Sequence, residues 1–168
     1  MVKPPGAALY PPLMNGAPDW GQLALDISLA ARSGAPVLIS APADCAENVA
    51  RTITAFSTGW RGEDLLVVDC RRAAIRQLVG GIQHRRGACA PGTVLLREVY
   101  ALPRSDQIEI ASVVVASAAL PSWPRIISTS SVSLFDRVRS GAFDEQLFYR
   151  LNVMHIVIKK TPEATAAA

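Results

Sequence analysis

The stretch from Val37 to Ile53, "VLISAPADCAENVARTI", poses the question on which the fold turns. It opens as an apolar run short enough to be a fully buried strand, makes a tight connection, and continues as a helix. In α/β proteins such a passage commonly seats a phosphate, because the first amides of a helix lack partners within it and the helix dipole favours an anion. Yet the interval Ser40 to Asn48, "SAPADCAEN", contains neither glycine nor lysine. Asp44 and Glu47, three positions apart, instead have the spacing of a capping box, with Asp44 accepting from the amide of Glu47 and Glu47 reaching back. Carboxylates in a first turn are favoured by about 0.3 to 1 kcal/mol each. The residues therefore predict a helix whose own acidic groups fill the seat; a residual anion site of unusual chemistry is the alternative.

Outward from this stretch the chain alternates regularly. "DWGQLALDISLAARSG" reads as a helix with Arg32 in its last turn and Gly34 as its stop. "DLLVVDC", "GTVLLREV", "PRIISTS" and "VMHIVIK" read as further strands, separated by helices over "RRAAIRQLVGG", "SDQIEIASVVVASA", "VSLFDRVRSG" and "DEQLFYRL". Apolar strands separated by helices imply right-handed crossovers and a parallel sheet covered on both faces. The expected fold class is α/β, a three-layer α/β/α sandwich on a five-stranded parallel sheet. Residues 1–18, with prolines at 4, 5, 11, 12 and 18, are read as an irregular leader, residues 19–160 as the core, and residues 161–168 as a disordered tail. No internal repeat is present.

With 168 residues, half of them hydrophobic and 18% charged, the chain is about one domain long and suited to a compact interior. The net charge of +3 is mild and the arginines are scattered, so direct nucleic-acid binding is not indicated. The strongest local case, "HRR" at His84 to Arg86, is read as a solvated loop in preference to a nucleic-acid contact. Cys45, Cys70 and Cys89 have no zinc spacing and no signal peptide precedes them, which points to reduced thiols in the cytoplasm. The apolar run Ile110 to Leu120 is too short to span a membrane and is expected as a buried helix. Cys45, near a helix start, is a candidate thiolate nucleophile, opposed by Asp44 and Glu47.

The late segment "RIISTSSVSLFDRVRSGAFDEQLFYRLNVMHIVI", Arg125 to Ile158, resembles the AAA+ ATPase domain of sigma-54-dependent transcriptional activators, the bacterial enhancer-binding proteins. It tracks that family's fourth strand, sensor region, arginine-bearing helix and fifth strand. "GTVLLREVYALP" looks like the Walker B strand and its turn, and "PVLIS" with "VARTI" like the first strand and phosphate-loop helix. The resemblance implies a P-loop NTPase core, ATP and magnesium as cofactors, and another AAA+ protomer or the sigma-54 machinery as partners.

Carried over residue by residue, the resemblance assigns Ser40, Ala41, Asp44, Glu47 and Ser131 to positions of the nucleotide site, with Ser131 at the sensor position. It makes Glu98 the carboxylate that polarises the attacking water and Arg150 an arginine acting across an oligomer interface. Several of the family's residues are missing. The Walker A glycines and lysine, which wrap and reach the phosphates, have no counterpart. Where the Walker B aspartate should orient magnesium stands Arg97, and a guanidinium supplies none of the oxygen ligands the metal needs. The first of two family arginines falls at Asp144 or its neighbour. The long insert with the GAFTGA loop is replaced by "RRAAIRQLVGGIQHRRGACAP", and the chain is expected to lack the helical lid. The expected protein is thus a degenerate member that binds no cofactor, holds no metal and does not hydrolyse ATP. A protein-interaction module without nucleotide binding is the alternative. Arg97 is read either as an exposed strand-end residue or as an ion-pair partner of Asp44 and Glu47, and Arg150 either as a trans-acting finger or as a helix-end cation near backbone carbonyls. Phe143, Leu147, Phe148 and Leu151 fall at helical spacing and are expected in the core.

Overall fold

The computed structural model describes residues 20–57, 65–72, 75, 79–80, 92–120 and 123–158. The expected leader and tail, most of the 71–91 segment with "HRR", and Cys89 lie outside the described residues. Within them the order is α1 (Trp20–Ser33), β1 (Val37–Ser40), α2 (Ala43–Phe56), β2 (Leu65–Asp69), β3 (Thr93–Arg97), a 3₁₀ turn (Val99–Ala101), α3 (Arg104–Ala119), β4 (Arg125–Ser130), α4 (Leu134–Arg139), α5 (Glu145–Leu151) and β5 (Met154–Val157). The helix stop falls where expected, with Gly34 at φ +66°, a conformation open to glycine without a Cβ clash.

The sheet is the predicted one: five strands, all parallel, in the order β2-β3-β4-β1-β5. Its alternating side chains divide the interior in two. Val37, Ile39, Leu95, Ile127 and Ile156 point to the layer of α1 and α2, where they meet Leu23, Ile27, Val49 and Ile53. Leu38, Val94, Leu96 and Ile126 point the other way, against Ile110, Val113, Leu134, Phe143, Leu147 and Leu151. Each fully buried Val, Leu or Ile contributes roughly 1.5 to 3 kcal/mol. Burial on both faces is what makes the strands continuously apolar. The expected core positions Phe143, Leu147, Phe148 and Leu151 are all buried.

The run Ile110 to Leu120 departs from expectation. Instead of a wholly buried helix it belongs to α3, which sinks Ile110, Val113 and Val114 and leaves Val115 exposed, with Leu120 exposed just beyond its end. The buried face of α3 packs against β4 and α5. No helix among the described residues is long and apolar enough to cross a membrane.

Two buried polar side chains tie the layers together. Arg125, the first residue of β4, donates to the carbonyls of Ala30 and Ala35 and so satisfies the carboxyl end of α1. Burial lowers its pKa to about 10, so it stays charged at neutral pH. Gln107, near the start of α3, donates to the carbonyl of Leu102 at 2.9 Å and accepts from the amide of Asp144 at 2.8 Å, pinning the start of α5.

Candidate functional site

In a parallel sheet all strands end on one edge, and chains that leave adjacent strands toward opposite faces open a crevice there. Here β1 continues into α2 on one face while β4, its neighbour, continues into α4 and α5 on the other. The crevice is an open cleft of about 690 Å³ lined by Ser40, Ala41, Ser130, Ser131, Phe135 and His155 among others, and among the described residues no Asp, Glu, Lys or Arg side chain stands on its wall.

The helix start at this edge is not the one expected. The N-cap is Pro42, at φ −52° and ψ 142°, and no side chain caps the helix. Proline fixes φ at a value suited to the approach, so α2 begins at Ala43 and Asp44 falls inside its first turn, exposed, where it cannot reach the amide of Glu47 in capping-box geometry. The predicted capping box does not form. Glu47 turns sideways instead: it accepts from Arg51 at 2.7 Å and forms an ion pair with Arg97 at 3.1 Å. The ion-pair reading of Arg97 therefore holds through Glu47 alone.

Beside this pair the edge carries a second one. Asp69, the register partner of Arg97, accepts two side-chain bonds and one amide bond from Arg71. The hydrogen bonds and charge of Arg71 hold its carboxyl down at about 2. Cys70, next in the chain, is buried, and burial together with the carboxylates of Asp69, Glu98 and Asp106 pushes its thiol up to about 12. It is an inert thiol.

Glu98 follows β3 in the left-handed conformation, φ 54° and ψ 51°, with only 2% of its surface exposed. For a residue with a Cβ that backbone costs roughly 1 to 2 kcal/mol. Its neighbours hold it there: the amide donates to Thr129 Oγ1 at 3.2 Å, and Oε2 accepts from the amide of Ser131 at 3.2 Å and from its hydroxyl at 2.7 Å. The other oxygen, Oε1, is buried with no hydrogen-bond partner.

The profile of the family described as "Sigma-54 interaction domain" matches residues 17–160. The chain belongs to the sigma-54 interaction domain family. Its similarity extends to the C4-dicarboxylate transport transcriptional regulatory protein DctD of Rhizobium meliloti (strain 1021), 31% identical over 93 residues, covering 51% of this chain and 19% of that protein. The fold matches NtrX from Brucella abortus, solved in complex with ATP, with a TM-score of 0.70 at 24% identity over 89% of this chain and 39% of that one. It also matches the P-loop NTPase domain of a sigma-54 transport activator from E. coli, with a TM-score of 0.62 at 17% identity, covering 82% of this chain and 94% of that domain. The chain therefore spans about a fifth of DctD and two fifths of NtrX. The five-stranded sheet in the order 2-3-4-1-5 is that of the AAA+ core of this family.

Of the residues singled out by sequence in this family member, Glu98 meets Ser131, Glu47 meets Arg97, and Ser40 and Ala41 line the cleft. The Ala41 amide is bonded to the Ser130 carbonyl at 3.2 Å. Asp144 caps α5, accepting from the Leu147 amide at 2.9 Å. Arg150 is not brought to the site. It ends α5 beside Ser33, Gly34 and Pro36 at the opposite edge of the sheet, with Nη1 3.4 Å from the Ala111 carbonyl. Cys45 is half-buried in the first turn of α2. One polar contact was not legible beforehand: Ser40 Oγ lies 2.8 Å from His155 Nε2, across the pairing of β1 with β5. Burial lowers the pKa of that imidazole below its usual 6.5.

Proposed function

We propose that this sigma-54 interaction domain has lost ATP hydrolysis and acts in transcription regulation or signalling as a non-hydrolysing protomer, with residues 19–160 as its working unit. The observation that carries the reading is the ion pair of Arg97 with Glu47, 3.1 Å apart at the ends of β3 and α2. A divalent cation needs oxygen ligands, and two carboxylates of that edge are committed to guanidinium groups, Glu47 to Arg51 and Arg97, and Asp69 to Arg71. A triphosphate needs a glycine-rich loop and a lysine, and "SAPADCAEN" offers neither: Pro42 carries no N–H, the Ala41 amide is already bonded to the Ser130 carbonyl, and Asp44 sets a negative charge in the first turn of α2. These groups do not fit magnesium and ATP. On this reading Ser40, Ala41, Asp44, Glu47 and Ser131 occupy the positions of a nucleotide site without forming one, and Glu98 is a structural carboxylate. Arg150, remote from the cleft of its own chain, is left to act on a neighbouring protomer or to end its helix. The partners are proteins, an AAA+ protomer or the sigma-54 machinery, and direct contact with nucleic acid is not part of the role.

Isothermal titration with ATP and Mg²⁺ tests the proposal. The expected result is no binding tighter than about the millimolar range, roughly −4 kcal/mol. Micromolar binding, or phosphate release above the buffer rate, would refute it.

A second reading, a docking module with no nucleotide role even in its assembly, is favoured by α1. Leu25 and Leu29, one turn apart on its outer side, are 66% and 61% exposed. Capture of an intact AAA+ partner that is lost in Leu25→Asp favours this reading.

A further inference from the structure

We propose that Ser40 and His155 form a nucleophile and base pair that removes small apolar acyl groups from esters in the cleft at the end of β1. The proposal stands apart from the nucleotide reading, since it uses the uncharged side of the edge. Three observations bring its parts together. The hydroxyl of Ser40 is 2.8 Å from His155 Nε2, within reach for proton transfer when the ring is in the tautomer that leaves Nε2 free. Both residues lie on the wall of a 690 Å³ cleft whose remaining surface is largely apolar, with Leu38, Phe135 and Val157 placed to receive an aliphatic chain. The same wall includes Pro42 and Ala43, where α2 begins without a side-chain cap, so its first amides are donors for the oxygen of a tetrahedral adduct.

The chemistry balances with water as the only co-reactant. Ser40 Oγ bonds to the acyl carbon as its proton passes to Nε2. The carbon–oxygen bond to the alcohol then breaks, and the departing oxygen takes that proton. Water attacks the acyl-serine, giving one proton to Nε2. When the carbon–Oγ bond breaks, that proton returns to Ser40 and the carboxylic acid leaves. Among the described residues no carboxylate is bonded to the other ring nitrogen, so the imidazole is oriented by strand pairing and the expected turnover is slow. His155 keeps much of its surface in water, and the partial desolvation of its ring lowers its pKa.

The 168-residue chain is assayed with p-nitrophenyl butyrate and, by intact mass, with a fluorophosphonate that loses fluoride to an activated serine. The expected result is a single adduct mapping to Ser40, with ester turnover that rises with pH through a midpoint below 6.5. Ser40→Ala should abolish both. His155→Gln, which keeps the ring's size and polarity in part, should lower turnover at least tenfold and flatten the pH profile, with circular dichroism unchanged. Absence of labelling in the folded wild type, labelling that persists in Ser40→Ala, or full turnover in His155→Gln would each overturn the proposal. A silent ATP titration beside active ester turnover, or the reverse, separates its outcome from that of the nucleotide reading.

Discussion

The two halves of the sheet's carboxyl edge are built on opposite electrostatic plans. At the ends of β2 and β3, Asp69, Arg71, Arg97, Glu47 and Arg51 form linked ion pairs, with the buried Glu98 beside them. At the ends of β1 and β4 the wall is serine, alanine, proline and phenylalanine, and its one titratable group, His155, is held toward neutrality. A phosphate-binding edge needs unpaired positive charge; among the described residues, Arg51, Arg71 and Arg97 on one half are paired with carboxylates and the lining of the other half carries no lysine or arginine. On the function proposed above, the difference shows two separate routes to an unfit site, pairing and neutral replacement, within one AAA+ fold.

The comparison breaks most visibly at Glu98. Replacing it by leucine removes the acceptor of the Ser131 amide and hydroxyl, two part-buried hydrogen bonds worth about 1 kcal/mol each. Urea unfolding of Glu98→Leu should therefore show a loss of about 2 kcal/mol, and Glu98→Gln, which keeps an acceptor, less than half of that. An equal loss in both would mean that the charge, not the acceptor, holds Ser131.

Next in size is Arg97→Asp. It removes a partly exposed pair and sets a carboxylate opposite Asp69 and against Glu47. Pairs of this exposure are worth under about 1 kcal/mol and facing like charges cost a similar amount. A loss of about 1 kcal/mol is expected, shrinking in high salt. Unchanged stability would make Arg97 a bystander.

The strands were legible in the sequence because burial on both faces makes them continuously apolar: "VLIS", "TVLLR" and "RIISTS" each fall on an observed strand. The Arg97 pairing was legible as far as parallel topology brings strand ends together. The capping box was misread because spacing alone cannot show which residue takes the N-cap. Pro42 takes the N-cap two residues before Asp44, and Glu47 is free for arginine. Ser40 and His155 were beyond reach for a different reason. They are 115 positions apart, and only the register of β1 against β5 brings them together.

Acid sharpens the charged half. The carboxyl of Asp69 titrates at about 2 in the fold against 3.8 ordinarily, mainly through its hydrogen bonds from Arg71. A depressed carboxyl contributes stability that is complete above the unfolded pKa and disappears as pH falls through the folded one. The window is therefore about pH 4 down to 2. Because both partners are substantially solvated, the contribution is expected below about 1 kcal/mol. Asp69→Asn should flatten that part of the acid limb, and an unaltered limb would assign it to other carboxylates.

The smallest effect belongs to the neutral half. Ser40→Ala removes one hydrogen bond whose partner, His155, can turn to water, so the expected loss of stability is a few tenths of a kcal/mol, at the low end for such bonds. Its informative readout is the imidazole itself, followed by NMR through pH. Burial, not Ser40, depresses its pKa, so the midpoint in Ser40→Ala should remain below 6.5. The sign for stability follows: the unfolded chain binds the proton more readily, so the fold weakens as pH falls through 6.5 toward the folded value and is indifferent above it. A midpoint rising to the ordinary value in Ser40→Ala would show that the hydroxyl, and not the apolar wall, keeps this side of the edge uncharged, and the contrast between the two halves would then rest on one hydrogen bond instead of on burial.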